Sequence, residues 1–254
     1  MRFVSQIIKS PFDLLHYATI GRVVPRTHIL VACMPKSGST YLSNTISRLP
    51  GFRKATLVRQ YGRVEQDLDI ETVLRKHRYD YVAQHHVKYN ENTRFMIDRF
   101  DIKPVVLVRN IFDCVVSIRD HLRRESTISP SAWFDARHAA LPDRELESMI
   151  AHLAIPWYIN FYVSWMHCPE KLVLTYDEAV GDTLGSVTRI CVHFALNFDT
   201  QAIERAVTAG DPGIDRRNVG QNGRGASLDE ETKALIRRFG DFHPDIDFSP
   251  IGLD

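Results

Sequence analysis

Short strand-length segments rich in apolar residues alternate along this chain with longer stretches whose apolar residues recur every three or four positions. The first kind fits a strand buried on both faces, the second an amphipathic helix. Runs at residues 28–34, 79–87, 104–108 and 171–176 each predict a strand. Helical spacing predicts helices over 40–49, closed by Pro50-Gly51, and over 91–100 and 111–124. A longer helix over 143–167 carries Leu146, Met149, Ile150, Leu153, Trp157, Phe161 and Trp165, with a kink expected at Pro156. Leu184, Val187, Cys191 and Phe194 mark another. Ser227-Leu-Asp-Glu230 has the form of a capping box, opening a last helix of about 228–239 that Gly240 ends. The polar stretch 52–78 shows no clear period beyond a short helix near 70–77, and both 125–142 and the glycine-rich 211–226 read as loops.

Strand and helix in alternation predict an α/β fold, a central parallel sheet flanked by helices. No internal repeat or low-complexity linker divides the 254 residues, so a single domain over 1–254 is expected, with 1–27 packed on it as an N-terminal segment. That segment has no continuous apolar core, being interrupted at Ser5, Gln6, Lys9 and Pro11, and no run approaches the ~20 residues that span a bilayer. No transmembrane anchor is expected.

The formal net charge of +1 provides no global basic field, so nucleic acid is not expected as a partner. Any anion must be held by local placement of charge. The four cysteines, at 33, 114, 168 and 191, form no C-x-x-C pair, and this favours a reducing, cytoplasmic setting over a disulfide or zinc framework. The histidines lack metal-ligand spacing, and no metal site is expected.

Pro35-Lys36-Ser37-Gly38-Ser39-Thr40 joins the first strand to the first helix. It offers a cation, three hydroxyls and a run of backbone N–H groups at the positive end of a helix, an arrangement that holds a phosphate-like anion. Its lysine precedes the glycine and no earlier glycine is present, unlike the G-x-x-x-x-G-K-[ST] loop of nucleoside triphosphatases. A second cationic element, Arg109-Asn110 with Asp113 and Ser117, begins at the carboxyl end of the 104–108 strand, where ligands of open α/β sheets collect. A forked guanidinium and a hydroxyl two turns further on suit a second phosphate. Arg216, Arg217, Gly220, Arg224 and Gly225 make the 216–225 loop a third.

In order and spacing these elements resemble the sulfotransferases that use 3′-phosphoadenosine 5′-phosphosulfate (PAPS). Residues 35–40 satisfy the family's P-[KR]-S-G-[ST]-[ST] loop. Arg109, Asn110, Asp113 and Ser117 satisfy its R-[ND]-x-x-D-x-x-x-S signature, while 217–220 lack the family's Arg-Lys-Gly. The resemblance implies a P-loop-NTPase-like sulfotransferase architecture. It implies that Pro35, Lys36, Ser37, Gly38, Ser39 and Thr40 hold the 5′-phosphosulfate, Lys36 neutralising the leaving phosphate. Arg109 and Ser117 take the 3′-phosphate, and Arg217, Gly220 and Arg224 close over it. Tyr41 stands where relatives carry an adenine-stacking tryptophan, Tyr176 matches a tyrosine near the adenine, and Thr208 is a further candidate for the base.

The family's general base is a histidine on the strand after the first helix, and here that strand offers both His85 and His86. Alternation along a strand puts Gln84 and His86 on one face and Ala83 and His85 on the other. Gln84-His85-His86-Val87 fits the family pattern best with His86 as base and His85 as the alternative. The implied activity is sulfuryl transfer to a hydroxyl or amine on a small-molecule or glycan acceptor, leaving adenosine 3′,5′-bisphosphate. Arg59, Arg63, Arg123 and Arg137 lie in the variable segments that would build the acceptor pocket. The competing readings are a small P-loop kinase and a catalytically silent nucleotide-binding adaptor. The sequence leaves acceptor and oligomeric state open.

Overall fold

The computed structural model describes residues 26–59, 65–210 and 223–253. Five strands form one wholly parallel sheet: β1 (His28–Cys33), β2 (Arg53–Ala55), β3 (Tyr81–His85), β4 (Ile102–Val108) and β5 (Leu172–Thr175), in the order β2-β3-β1-β4-β5. β1 pairs with β3 on one side, Ala32 opposite His85, and with β4 on the other, Cys33 opposite Leu107. Every residue of β1 is buried, as its unbroken apolar run requires at the centre of a parallel sheet.

Side chains of alternate parity feed two cores. Leu30, Ala32, Ala83, Val106 and Val108 face helices α3 (Glu91–Phe100), α4 (Ile111–Arg124), α6 (Asp143–Leu153) and α7 (Ile155–Met166). Ile29, Val31, Cys33, Val105 and Leu107 face α1 (Ser39–Ser47), α9 (Thr183–His193) and α10 (Thr200–Thr208). From β1 the chain crosses to the edge strand β2, returns inward to β3, and then crosses to β4 and β5 on the other side of β1. The connections after β1 and β4 therefore diverge, and this makes their carboxyl ends the switch point at which α/β sheets bind ligands.

The sequence differs from this structure at several points. The helix expected over 143–167 is two, α6 and α7, broken at Ala154. Pro156 has no N–H for the ladder and sits in the first turn of α7, where none is needed. The Trp157/Phe161/Trp165 stripe is mostly core, with Phe161 and Trp165 fully buried. Tyr176 opens a short helix, α8 (Tyr176–Gly181), instead of ending β5. The last helix, α11 (Glu230–Gly240), is capped by Asp229, whose carboxylate accepts from Thr232 N at 2.9 Å. Ser227 belongs to a 3-10 turn over Arg224–Ser227 and bonds Arg224 O. β2, three mainly exposed residues, and α10 carry too few apolar positions for their spacing to declare them. α2 (Ile70–Lys76) and α5 (Ala136–Ala139) complete the helices of the described residues. None of the described helices is long and apolar enough to cross a membrane.

Candidate active site

Residues 35–38 turn sharply from β1 into α1. Lys36 and Gly38 both take left-handed backbone conformations, φ 65° and 77°. Such a turn aims successive N–H groups into one concavity at the amino end of α1, a nest for an anion. A Cβ on Gly38 would lie 3.1 Å from the Tyr176 ring, so glycine serves both the angle and the packing. The loop is pinned from beneath. Ser37 Oγ donates to Met34 O at 2.6 Å, and Tyr158 of α7 donates to Pro35 O at 3.2 Å. Ser37 and Ser39 are buried and Thr40 is half-buried.

Arg109, at the end of β4, is 6% exposed. Its Nη1 donates to Lys36 O at 3.0 Å, its guanidinium lies 4.2 Å from the Tyr176 ring centroid, and Nη2 stands 3.9 Å from Asp113. The two sequence-predicted anion elements therefore share a wall, with Tyr176 stacked against one and packed under the other. Ser117 is buried two turns into α4. Tyr41 is buried too, its hydroxyl 3.1 Å from Thr183 Oγ1 in α9.

Asp113 ties down the returning C-terminal chain: its carboxylate accepts from Gly223 N at 3.1 Å and Gly225 N at 2.7 Å. Gly225 packs so tightly that a Cβ would sit 2.6 Å from the Phe112 carbonyl carbon. Arg224 pairs with Asp120 of α4. Arg217 and Gly220 lie outside the described residues, as do Arg63 and residues 1–25. Thr208 is exposed at the end of α10, its hydroxyl bonded to Glu204 O at 2.9 Å.

The paired histidines separate cleanly. His85 is fully buried and its Nε2 accepts from Leu57 N at 2.9 Å, so its ring proton rests on Nδ1 and its lone pair is spent. Burial, helped by the neighbouring His86 charge, lowers its pKa to about 3. His85 is thus packed as a core histidine whose Nε2 is engaged by the backbone. The unfolded chain takes up a proton below about 6.5 that the folded chain refuses. The resulting stability is complete above that pH and is lost as pH falls from 6.5 towards 3, by roughly 1.4 kcal/mol per unit. His85→Gln keeps an acceptor for Leu57 and is expected to flatten this acid limb. Denaturant titrations near pH 7 and pH 5 check it, and an unchanged pH difference contradicts it.

His86 is half-buried just beyond β3. Its Nδ1 lies 2.8 Å from Cys33 O and 3.4 Å from Cys33 Sγ; since a carbonyl only accepts, Nδ1 carries the proton and Nε2 keeps its lone pair. Gln84 Nε2 lies 3.6 Å from the same sulfur, which places Gln84 and His86 on one face as alternation requires. Burial works against charging His86, but the charge and hydrogen bonds of Cys33 outweigh it and raise its pKa above the ordinary imidazole value. Gln66 accepts from His86 N at 2.8 Å. This partner, in the aperiodic 52–78 stretch, had no sequence signal.

In the charged stretch 119–125, Arg119 binds Asp120 at 3.0 Å, Asp143 at 2.9 Å and Glu147 at 2.6 Å, while Glu125 reaches Lys36 at 3.6 Å. Arg59 pairs with Asp69 and Glu71, Arg123 with Asp143 and Arg137 with Asp135, so three of the four arginines considered for the acceptor already meet carboxylates.

The sequence matches no family model and no curated protein. Among solved structures, mouse sulfotransferase SULT7A1 complexed with PAP superposes at a TM-score of 0.62 with 14% identity, covering 89% of this chain and 88% of that one. Retinol dehydratase in complex with androsterone and inactive cofactor PAP gives 0.53 and 16%, over 92% and 86%. Sulfotransferase STF1 from Mycobacterium tuberculosis H37Rv gives 0.53 and 10%, over 89% and 82%. The chain has the sulfotransferase fold.

Proposed function

We propose that this chain is a PAPS-dependent sulfotransferase, an enzyme that transfers a sulfuryl group to the hydroxyl or amine of a small-molecule or glycan acceptor. The observation that carries it is the convergence of the 35–40 loop, Arg109 and His86 at the carboxyl ends of three adjacent strands, β1, β4 and β3. The residues fit the donor. The nest at Lys36 and Gly38 suits a phosphosulfate, and the buried Arg109 with Ser117 suits a second phosphate on the same nucleotide. PAP in the mouse and retinol dehydratase structures agrees with this choice of nucleotide.

The bound donor supplies the sulfuryl group and departs as adenosine 3′,5′-bisphosphate. Lys36 and the amides of 37–40 offset charge on the departing 5′-phosphate, with no reorganisation needed at the moment of transfer. Pro35, through its carbonyl on Tyr158, fixes the loop. His86 Nε2 accepts the acceptor's proton while Nδ1–H stays on Cys33 O, which holds the ring in the productive tautomer. In this reading Tyr176 and Tyr41 would flank the adenine and Arg224 would serve the 3′-phosphate, with Arg217 and Gly220 assigned to it from the sequence alone.

Ile128 and Trp133 are largely exposed on the 126–135 segment, which adjoins the loop through Ser131 and Tyr158. They supply an apolar wall for a hydroxyl-bearing acceptor. The four cysteines, buried and outside any disulfide, support a cytoplasmic setting.

Thermal denaturation tests the assignment. Adenosine 3′,5′-bisphosphate is expected to raise the melting temperature well beyond ATP with magnesium, because a ligand that binds only the native state stabilises it. A kinase gives the reverse order, and that result would remove the assignment.

A further inference from the structure

Lys36 has an acidic neighbour that none of the nucleotide-binding motifs includes. Glu125, just past the end of α4, places Oε1 3.6 Å from Lys36 Nζ. His121, one turn earlier, aims the carboxylate: its Nδ1 lies 3.0 Å from Glu125 Oε2 and 3.4 Å from Lys36 Nζ. The Lys36 side chain is 18% exposed and that of Glu125 is 45% exposed. A largely buried ammonium thus meets a carboxylate that can swing towards solvent.

A carboxylate and an anionic phosphosulfate cannot share one ammonium without strong like-charge repulsion. The arriving donor must therefore evict the carboxylate, and the departing product gives it back. We propose that Glu125, aimed by His121, is a positioning residue that serves as the donor-free counter-ion of Lys36. Exchange between this carboxylate and the nucleotide's 5′ end then sets how tightly the nucleotide is held. The proposal rests on the reading of the 35–40 loop as the donor site. It assigns Glu125 a role in nucleotide release as well as capture, since the carboxylate competes for Lys36 while the bisphosphate leaves.

The test is calorimetric titration of adenosine 3′,5′-bisphosphate into the full chain, its Glu125→Gln variant, and both proteins carrying Lys36→Gln. Glu125→Gln is expected to tighten binding about threefold, the size of a partly exposed ion-pair exchange. That gain is expected to vanish when Lys36 is already Gln. General repulsion by a nearby carboxylate would instead tighten both backgrounds equally, and this outcome overturns the proposal. So does unchanged or weaker binding by Glu125→Gln while the unmodified chain binds normally; the donor-site reading then survives. Absence of binding by the unmodified chain overturns the donor-site reading and the proposal together. Because Glu125 is nearly half exposed at a helix end, its amide variant is expected to keep the fold.

Discussion

Replacing His86 with Asn is expected to lower kcat by about 10²- to 10⁴-fold, the range that a positioned general base contributes. Asn can still donate to Cys33 O, so the backbone between β1 and β3 keeps its geometry while the lone pair at the Nε2 position is lost. Nucleotide affinity should be unaffected, because His86 contacts Cys33 and Gln66 and none of residues 35–40 among the bonds described. The pH profile gives an independent readout. A base must be neutral to work, so the rate should rise with pH through the His86 pKa, which stands above the ordinary 6.5 through its contacts with Cys33. In His86→Asn that rising limb should vanish. Sulfate transfer from labelled donor, followed across pH, measures both effects; a variant that keeps most of its rate would assign the proton to another group.

Removal of Arg109 is expected to damage binding more than chemistry. Truncating one member of a buried, charge-assisted contact costs about 30- to 5000-fold in affinity. Here the loss is expected to be selective. Arg109→Ala should weaken adenosine 3′,5′-bisphosphate far more than adenosine 5′-monophosphate, so the preference for the 3′-phosphate should collapse towards unity. Some loss for the monophosphate is also expected, because Arg109 Nη1 holds Lys36 O and so supports the loop directly. Arg109→Lys keeps the charge and forfeits the fork and the stacking on Tyr176. It should recover only part of the preference. Titration calorimetry with the two nucleotides measures this. A preserved preference in Arg109→Ala would move the 3′-phosphate elsewhere.

What the sequence disclosed follows from the physics that writes it there. β1 and β4 are buried on both faces, so their apolar runs are unbroken, and the anion loop's composition is fixed by a helix amino end and two left-handed residues. These features were legible without coordinates. β2 was not, since its three residues face mainly solvent and carry no pattern. The break at Ala154 was misread as a kink because apolar spacing continues through α6 and α7, and only the first-turn tolerance for Pro156 distinguishes two helices from one bent one.

The site divides along similar lines. Lys36, Gly38, Arg109 and Ser117 stand in a local pattern of residue types at fixed spacing, so the sequence alone brings them forward as candidates. The environments of His85 and His86 needed the third dimension: alternation separates their faces, but the contacts of His85 with Leu57 and of His86 with Cys33 have no local signal. Gln66, Glu125 and the grip of Asp113 on Gly223 and Gly225 join residues far apart in the chain, and no local spacing announces them.

The most direct test is a crystal structure of the chain with adenosine 3′,5′-bisphosphate. The 5′-phosphate is expected against the amides of residues 37–40 and Lys36 Nζ, with Glu125 withdrawn, and the 3′-phosphate against Arg109 and Ser117. A nucleotide bound with either phosphate away from its cationic partner would contradict the two-ended grip on which the assignment depends.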